Sequence, residues 1–245
     1  PGMRDHLVLL PGWGLGCAPL EPLAAALRGL NERLHVNIEP LPDLDGSDPC
    51  DWLDELDATL APDCWLGGWS LGGMLATQLA ARRGERCCGL LTLASNACFV
   101  AREDWPLGMP ASTHAAFRQG CSADPQATLK RFALLAAQGA ADPRGMARLL
   151  AASAPQAHAD GLLASLDLLA ALDSRQAVQQ FRGPQLHLLA AADALVPVAV
   201  SAALLGLQPD IEVGVLASSS HAFVLERPHE LAAAIQAFLS EVGDD

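Results

Sequence analysis

A mostly parallel α/β sheet, with helices on both faces and one helical insertion, is the fold class this sequence predicts. Three observations predict it. Short apolar runs of strand length alternate with longer amphipathic stretches in both end portions of the chain. Strands buried on both faces of a parallel sheet read in this way, as near-continuous apolar runs. The alternation stops between about Val100 and Ala177, where Pro106, Pro110, Pro125, Pro143 and Pro155 punctuate a helical composition. Finally, 245 residues suit one α/β domain with an insertion, long enough to bury a central sheet under two helical layers.

Taken in order, His6 to Leu10 reads as a buried strand and Pro11 to Cys17 as a Gly-rich loop. Leu20 to Leu30 reads as a helix and Leu34 to Glu39 as a second strand. Trp52, Leu53, Leu56 and Leu60 have helical spacing within Asp51 to Leu60. Cys64 to Gly68 is a short strand, Leu71 to Arg83 a helix and Gly89 to Ala94 a strand. After the insertion come Gln185 to Ala190 (strand), Pro197 to Gly206 (helix), Ile211 to Leu216 (strand) and Pro228 to Val242 (helix). The organisation expected is a core of residues 1–99 and 178–245 with a helical lid over 100–177.

Composition narrows the function classes. The formal charge of −13 argues against nucleic acid, whose binders carry a basic footprint. No apolar run reaches the roughly 18 residues of a membrane span. The start Pro1-Gly2-Met3 has the look of a non-native lead before Met3, and no secretory signal follows it. The seven cysteines are odd in number and include no C-x-x-C pair, which speaks against a disulfide framework or a zinc site and for a reducing cytoplasm. No metal or dinucleotide motif is present, so no cofactor is expected. A monomer is expected. Charge is unevenly spread: Arg118, Lys130, Arg131, Arg144 and Arg148 face only Asp124 and Asp142, a segment of net +3 against −16 for the remainder. A basic island on an acidic chain invites an acidic partner; the plainer reading is a solvated helix face.

Gly68-Trp69-Ser70-Leu71-Gly72 fits G-x-S-x-G, between an apolar strand and a helix of small and apolar residues. That strand–turn–helix is what the nucleophile elbow of an α/β-hydrolase fold requires, with glycines letting backbone pack closely around a serine lifted clear of the sheet. The helix N-terminus offers the Leu71 N–H as one oxyanion donor. The loop after the first strand, Pro11-Gly12-Trp13-Gly14, offers the Trp13 N–H as the second. A serine hydroxyl needs a base. His6 and His35 lie at strands, His187 in a strand, His229 in a helix, and His114 and His158 in the insertion. His221 follows Ser218-Ser219-Ser220 in a polar loop between the last strand and last helix, where this fold places its base. The acid falls between serine and histidine in chain order. Asp193, just past a strand, is the candidate; Asp167 and Asp173 are rivals within the helical stretch. Ser70, Asp193 and His221 thus form the expected triad.

At these residues the chain resembles the BioH family, the carboxylesterases of biotin synthesis. The resemblance runs from about Leu7 to the C-terminus and is carried by Leu9 to Leu15, Trp65 to Gly73, Ala94 to Phe99 with Trp105-Pro106, and Arg131 to Leu134. The first two strings are shared widely among α/β-hydrolases; the last two discriminate. The resemblance implies hydrolysis of the methyl ester of pimeloyl-acyl-carrier protein to pimeloyl-acyl-carrier protein and methanol. It implies that Phe132 lies beside the acyl chain, with Trp13 also a substrate-binding residue, and that Arg131, Arg144 and Arg148 meet an acidic acyl-carrier protein. Pro11 stands where the family commonly has histidine, the first strand is short, and Ala127 occupies a position usually basic. The competing readings are an esterase or lactonase acting on a small free ester without a protein partner, and a non-catalytic binding protein on the same fold.

Overall fold

The computed structural model describes residues 4–156 and 158–243; Pro1, Gly2 and Met3, with the non-native lead expected there, lie outside the described residues. Among the described residues one parallel sheet contains β1 (His6–Leu10), β2 (His35–Ile38), β3 (Trp65–Trp69), β4 (Gly89–Leu93), β5 (Gln185–Ala190) and β6 (Glu212–Leu216), in the spatial order β2-β1-β3-β4-β5-β6. Every residue of β3, β4 and β5 is buried, which is why these strands read as largely apolar runs; their polar members Thr92, Gln185 and His187 bond to one another.

The order reverses at β1, which pairs with β2 on one side and β3 on the other. Right-handed crossovers therefore send α1 (Glu21–Leu30) to one face of the sheet, and α2 (Pro49–Thr59) and α3 (Leu71–Arg83) to the other. α9 (Val200–Leu207) joins the second layer, while α11 (Pro228–Gly243) returns to pack on α1. The same reversal opens a crevice at the carboxyl ends of β1 and β3, the place where open α/β sheets bind ligands. The loop after β1 and the turn after β3 meet there.

The insertion holds α4 (Ala111–Ala123), α5 (Pro125–Ala137), α6 (Pro143–Ser153) and α7 (Ala159–Ala171). Two of its prolines are helix starters: Pro125 and Pro143 occupy first turns, and Asp124 and Asp142 cap those helices by accepting the Ala127 and Gly145 N–H groups at 3.1 and 3.0 Å. Asn96 ties the approach to the lid: its amide donates to the Leu107 carbonyl at 2.6 Å and its Oδ1 accepts from Trp105 Nε1 at 2.9 Å. The chain rejoins the core at Ser174, whose N–H donates to the Ala97 carbonyl at 2.8 Å. α8 (Arg175–Gln180) packs on α3, so the expected boundary at 177 falls inside a helix.

Several element ends shift by a residue or more: the strand expected over Cys64 to Gly68 runs Trp65–Trp69, and the helix expected over Asp51 to Leu60 runs Pro49–Thr59. The helix expected from Pro197 starts at Val200, because Pro197 to Ala199 form a turn that receives the Val200 N–H. The short α10 (Phe223–Glu226), which the sequence reading lacks, follows His221 directly.

Candidate active site

Ser70 sits at the tip of the turn between β3 and α3 with φ +56° and ψ −116°, a left-handed conformation that non-glycine residues seldom adopt. Its surroundings enforce this. The Ser70 N–H donates to the Leu93 carbonyl at 2.9 Å, and the Ser70 carbonyl accepts from Ser95 Oγ at 2.9 Å. A Cβ on Gly68 would collide with the Gly72 backbone, and one on Gly72 with the Leu10 and Pro11 carbonyls. The two glycines of the motif thus let the turn close against β1. Gly12 faces the serine directly, since a Cβ there would lie 3.5 Å from that of Ser70.

Asp193 and His221 meet from separate loops. Asp193 Oδ2 lies 2.8 Å from His221 Nδ1, and both side chains are buried. Asp193 Oδ1 accepts the Leu195 and Val196 N–H groups at 2.8 and 2.9 Å, which fixes the carboxylate plane. A carboxylate only accepts, so Nδ1 carries the proton and Nε2 of the neutral ring presents a lone pair. His221 Nε2 is buried and has no hydrogen-bond partner among the described residues.

Trp69 brings the imidazole to the elbow. Its Nε1–H donates to the His221 carbonyl at 3.0 Å, and its ring lies 5.8 Å from the imidazole. Because Trp69 directly precedes Ser70, the bond holds His221 beside the turn. No hydrogen bond joins Ser70 Oγ to Nε2 among the described residues; serine–histidine contacts of this kind commonly shorten only once substrate is bound. The Leu71 and Trp13 N–H groups donate to no acceptor among the described residues. The Trp13 side chain is anchored elsewhere: Nε1–H donates to the Leu162 carbonyl of α7 at 3.0 Å, and Phe132 of α5 meets its ring edge-on at 5.0 Å. A cleft of about 340 Å³ borders this loop, with Gly12, Leu41, Asp43, His158 and Leu162 in its wall.

The rival acids Asp167 and Asp173, and the strand histidine His187, have other partners. Asp167 pairs with Arg118 at 2.7 Å. Asp173 pairs with Arg175 at 2.8 Å, and that guanidinium holds its carboxyl well below the usual carboxylate range. His187 is hydrogen-bonded at both ring nitrogens, to Thr92 Oγ1 at 2.6 Å and Gln185 Oε1 at 2.8 Å, and burial pushes its pKa down to about 4. Burial also pushes the Cys64 and Cys98 thiols up to about 11 and Cys87 to about 12, so these act as apolar core groups. No group of three or more His, Cys, Asp or Glu side chains among the described residues is arranged to hold a metal ion. No helix among them is long and apolar enough to cross a membrane.

On the lid, Arg131 is exposed and stacks over the Phe117 ring at 4.9 Å, while Arg144 and Arg148 are exposed on α6. Arg118 is neutralised by Asp167, and Asp124 and Asp142 serve as caps. Among the described residues none of Lys130, Arg131, Arg144 and Arg148 pairs with a carboxylate. The sequence reading missed Trp69, Ser95, Ser220 and Glu226. Trp69 lay within the motif itself; the others act through contacts that leave no local pattern.

The pattern of the Alpha/beta hydrolase family matches residues 7–234. The chain is 36% identical over 247 residues to a pimeloyl-acyl-carrier-protein methyl ester esterase of Aeromonas salmonicida (strain A449), covering 97% of this chain and 96% of that one. It is 40% identical over 242 residues to the biotin biosynthesis bifunctional protein BioHC of Cellvibrio japonicus (strain Ueda107), covering 96% of this chain but about half, 47%, of that one. Among solved structures, an esterase from Exiguobacterium antarcticum (EaEST) superposes with a TM-score of 0.83 at 17% identity, over 98% of this chain and 93% of that one, a likeness of fold. The chain belongs to the alpha/beta hydrolase family as a carboxylic ester hydrolase, with pimeloyl-acyl-carrier-protein methyl ester esterases among its full-length relatives.

Proposed function

We propose that the protein hydrolyses the methyl ester of a pimeloyl-type acyl group carried on an acidic acyl-carrier protein, releasing methanol, with Ser70, His221 and Asp193 as its triad. The buried Asp193–His221 bond carries this reading: it leaves an imidazole nitrogen without a partner among the described residues, in a loop tied through Trp69 to the serine's turn. Ser70 Oγ attacks the ester carbonyl as Nε2 takes its proton. Asp193 stabilises the resulting imidazolium and holds its tautomer. The Leu71 and Trp13 N–H groups receive the oxyanion. His221 returns the proton to the departing methanol, and water then releases the acid by the same steps.

The carrier half of the reading rests on the relatives' names and on the lid. Lys130 and Arg131 stand one turn before Leu134, which is 54% exposed, and Arg148 adjoins Leu149, which is 51% exposed. Cations that pair with no carboxylate among the described residues, interleaved with exposed leucines, suit an acidic partner with an apolar contact. Phe132, against Trp13, is the proposed wall of the acyl site.

The test is turnover of pimeloyl-acyl-carrier-protein methyl ester by wild type and by an Arg131/Arg144/Arg148→Glu variant, with a short p-nitrophenyl ester as control. We expect the variant to lose at least tenfold in kcat/KM on the carrier substrate and to keep its rate on the free ester. Equal rates on the carrier substrate would remove the docking role. Turnover of the free ester alone by both proteins would favour a small-ester hydrolase.

A further inference from the structure

The turn between α5 and α6 is fastened to both loops that carry the proposed acid and base. The Ala222 N–H donates to the Ala136 carbonyl at the end of α5, at 3.1 Å. Gly139, at φ +95°, lies so close to the loop before Asp193 that a Cβ there would run into the Ala192 carbonyl oxygen. The third fastening is a side chain. Glu226 Oε2 accepts the Ala141 N–H at 3.0 Å, and Glu226 Oε1 accepts both the N–H and the hydroxyl of Ser220, each at 3.1 Å. Ser220 is buried, directly precedes His221, and its Oγ accepts the Ala222 N–H at 3.2 Å. One carboxylate therefore stands between the lid and the base loop. Its bonds run to these two segments, while neighbouring Arg227 pairs with Glu230.

We propose that Glu226 is a positioning residue for His221, acting through Ser220, and that it latches the α5–α6 turn of the lid to the base loop. The proposal rests on the reading of His221 as the base. The bond to Asp193 fixes the ring's tautomer but not where the backbone carries the ring. That is set by residues 220–222: Trp69 holds the His221 carbonyl, and Glu226 holds the Ser220 amide. Two carboxylate oxygens offer enough lone pairs to serve three donors at once. An alanine would strand those donors, and a glutamine would keep only one accepting oxygen. Small displacements of a reacting group carry large rate penalties.

The experiment measures kcat, KM and Tm on a short p-nitrophenyl ester for wild type, Glu226→Ala, Glu226→Gln, Ser220→Ala and His221→Ala. For Glu226→Ala, kcat should fall about tenfold at a KM within twofold of wild type, and Glu226→Gln and Ser220→Ala should fall between, two- to fivefold down. A Glu226→Ala kcat within twofold of wild type overturns the latch. So does a loss that Glu226→Gln fails to relieve while both lose Tm equally, since that marks a purely structural role. Should Glu226→Ala not fold, the other two carry the test, and wild-type kcat in both overturns it. Activity surviving in His221→Ala would remove the base assignment beneath the proposal; an inactive His221→Ala beside an unimpaired Glu226→Ala would remove the latch alone.

Discussion

The loops at the carboxyl edge of the sheet and the lid surface above them treat polar groups in opposite ways. At the edge, Asp193 is bound at both oxygens, Ser220 and Glu226 hold one another, and His221 Nε2 is buried without a partner among the described residues. At α5 and α6 the aspartates are occupied as caps, and among the described residues the exposed cations pair with no carboxylate. A fully bonded frame around one unsatisfied atom is suited to chemistry on that atom. An uncompensated charged face is suited to a second molecule. Damage to the first region should therefore cost turnover on every ester, and damage to the second should cost it only where the substrate arrives on an acidic carrier.

The sharpest break in that comparison is at Ser70 and Asp193. Ser70→Ala should abolish turnover, and Asp193→Asn, which disturbs the tautomer while keeping the shape, should lower kcat by ~10⁴ on carrier-linked and free esters alike. Steady-state assays on both substrates check this; unequal losses would blur the division. Next in size is salt. Raising ionic strength from about 0.05 to 0.5 M should weaken kcat/KM on the carrier substrate several-fold, because exposed charges are screened within about a Debye length. The free ester should barely respond, and equal salt slopes would count against an electrostatic lid.

The smallest effect concerns His187, one of three buried histidines with His114 and His221. His187 is bonded at both nitrogens and its folded pKa is about 4, against an ordinary 6.5. Its folded value is depressed, so the unfolded chain binds the extra proton between those pH values and stability falls as pH drops through them. Urea midpoints at pH 7 and 5 should differ less in His187→Gln than in wild type. An identical pH response would assign the acid sensitivity to other groups.

Much of the core was legible because its determinants are local. A strand buried on both faces must be largely apolar, and the helix expected over Leu71 to Arg83 forms over those residues because positive-φ residues bound it at both ends, Ser70 before it and Gly84 after it. The elbow declared itself through glycines that only close backbone packing requires. The lid was legible as helical but not as four helices. Two of its helix starts are set by Asp-Pro capping at 124–125 and 142–143, where prolines read as mere punctuation were in fact helix starts. Least legible were the links between distant segments. Glu226 with Ala141 spans 85 residues and Trp69 with His221 spans 152, and no periodicity encodes such pairs.

The bond from Trp13 Nε1 to the Leu162 carbonyl bears on how separable the lid is. The residue whose backbone N–H is the proposed oxyanion donor is held in place by a helix of the insertion. Core and lid are consequently not interchangeable modules. A lid borrowed from a related hydrolase to change substrate preference would have to supply a carbonyl at the Leu162 position and an aromatic edge at the Phe132 position, or the chimera would alter the chemistry along with the selectivity. The outer surface of the insertion carries no such constraint, so redesign for a new partner belongs there, with the inward-facing contacts to Trp13 left untouched.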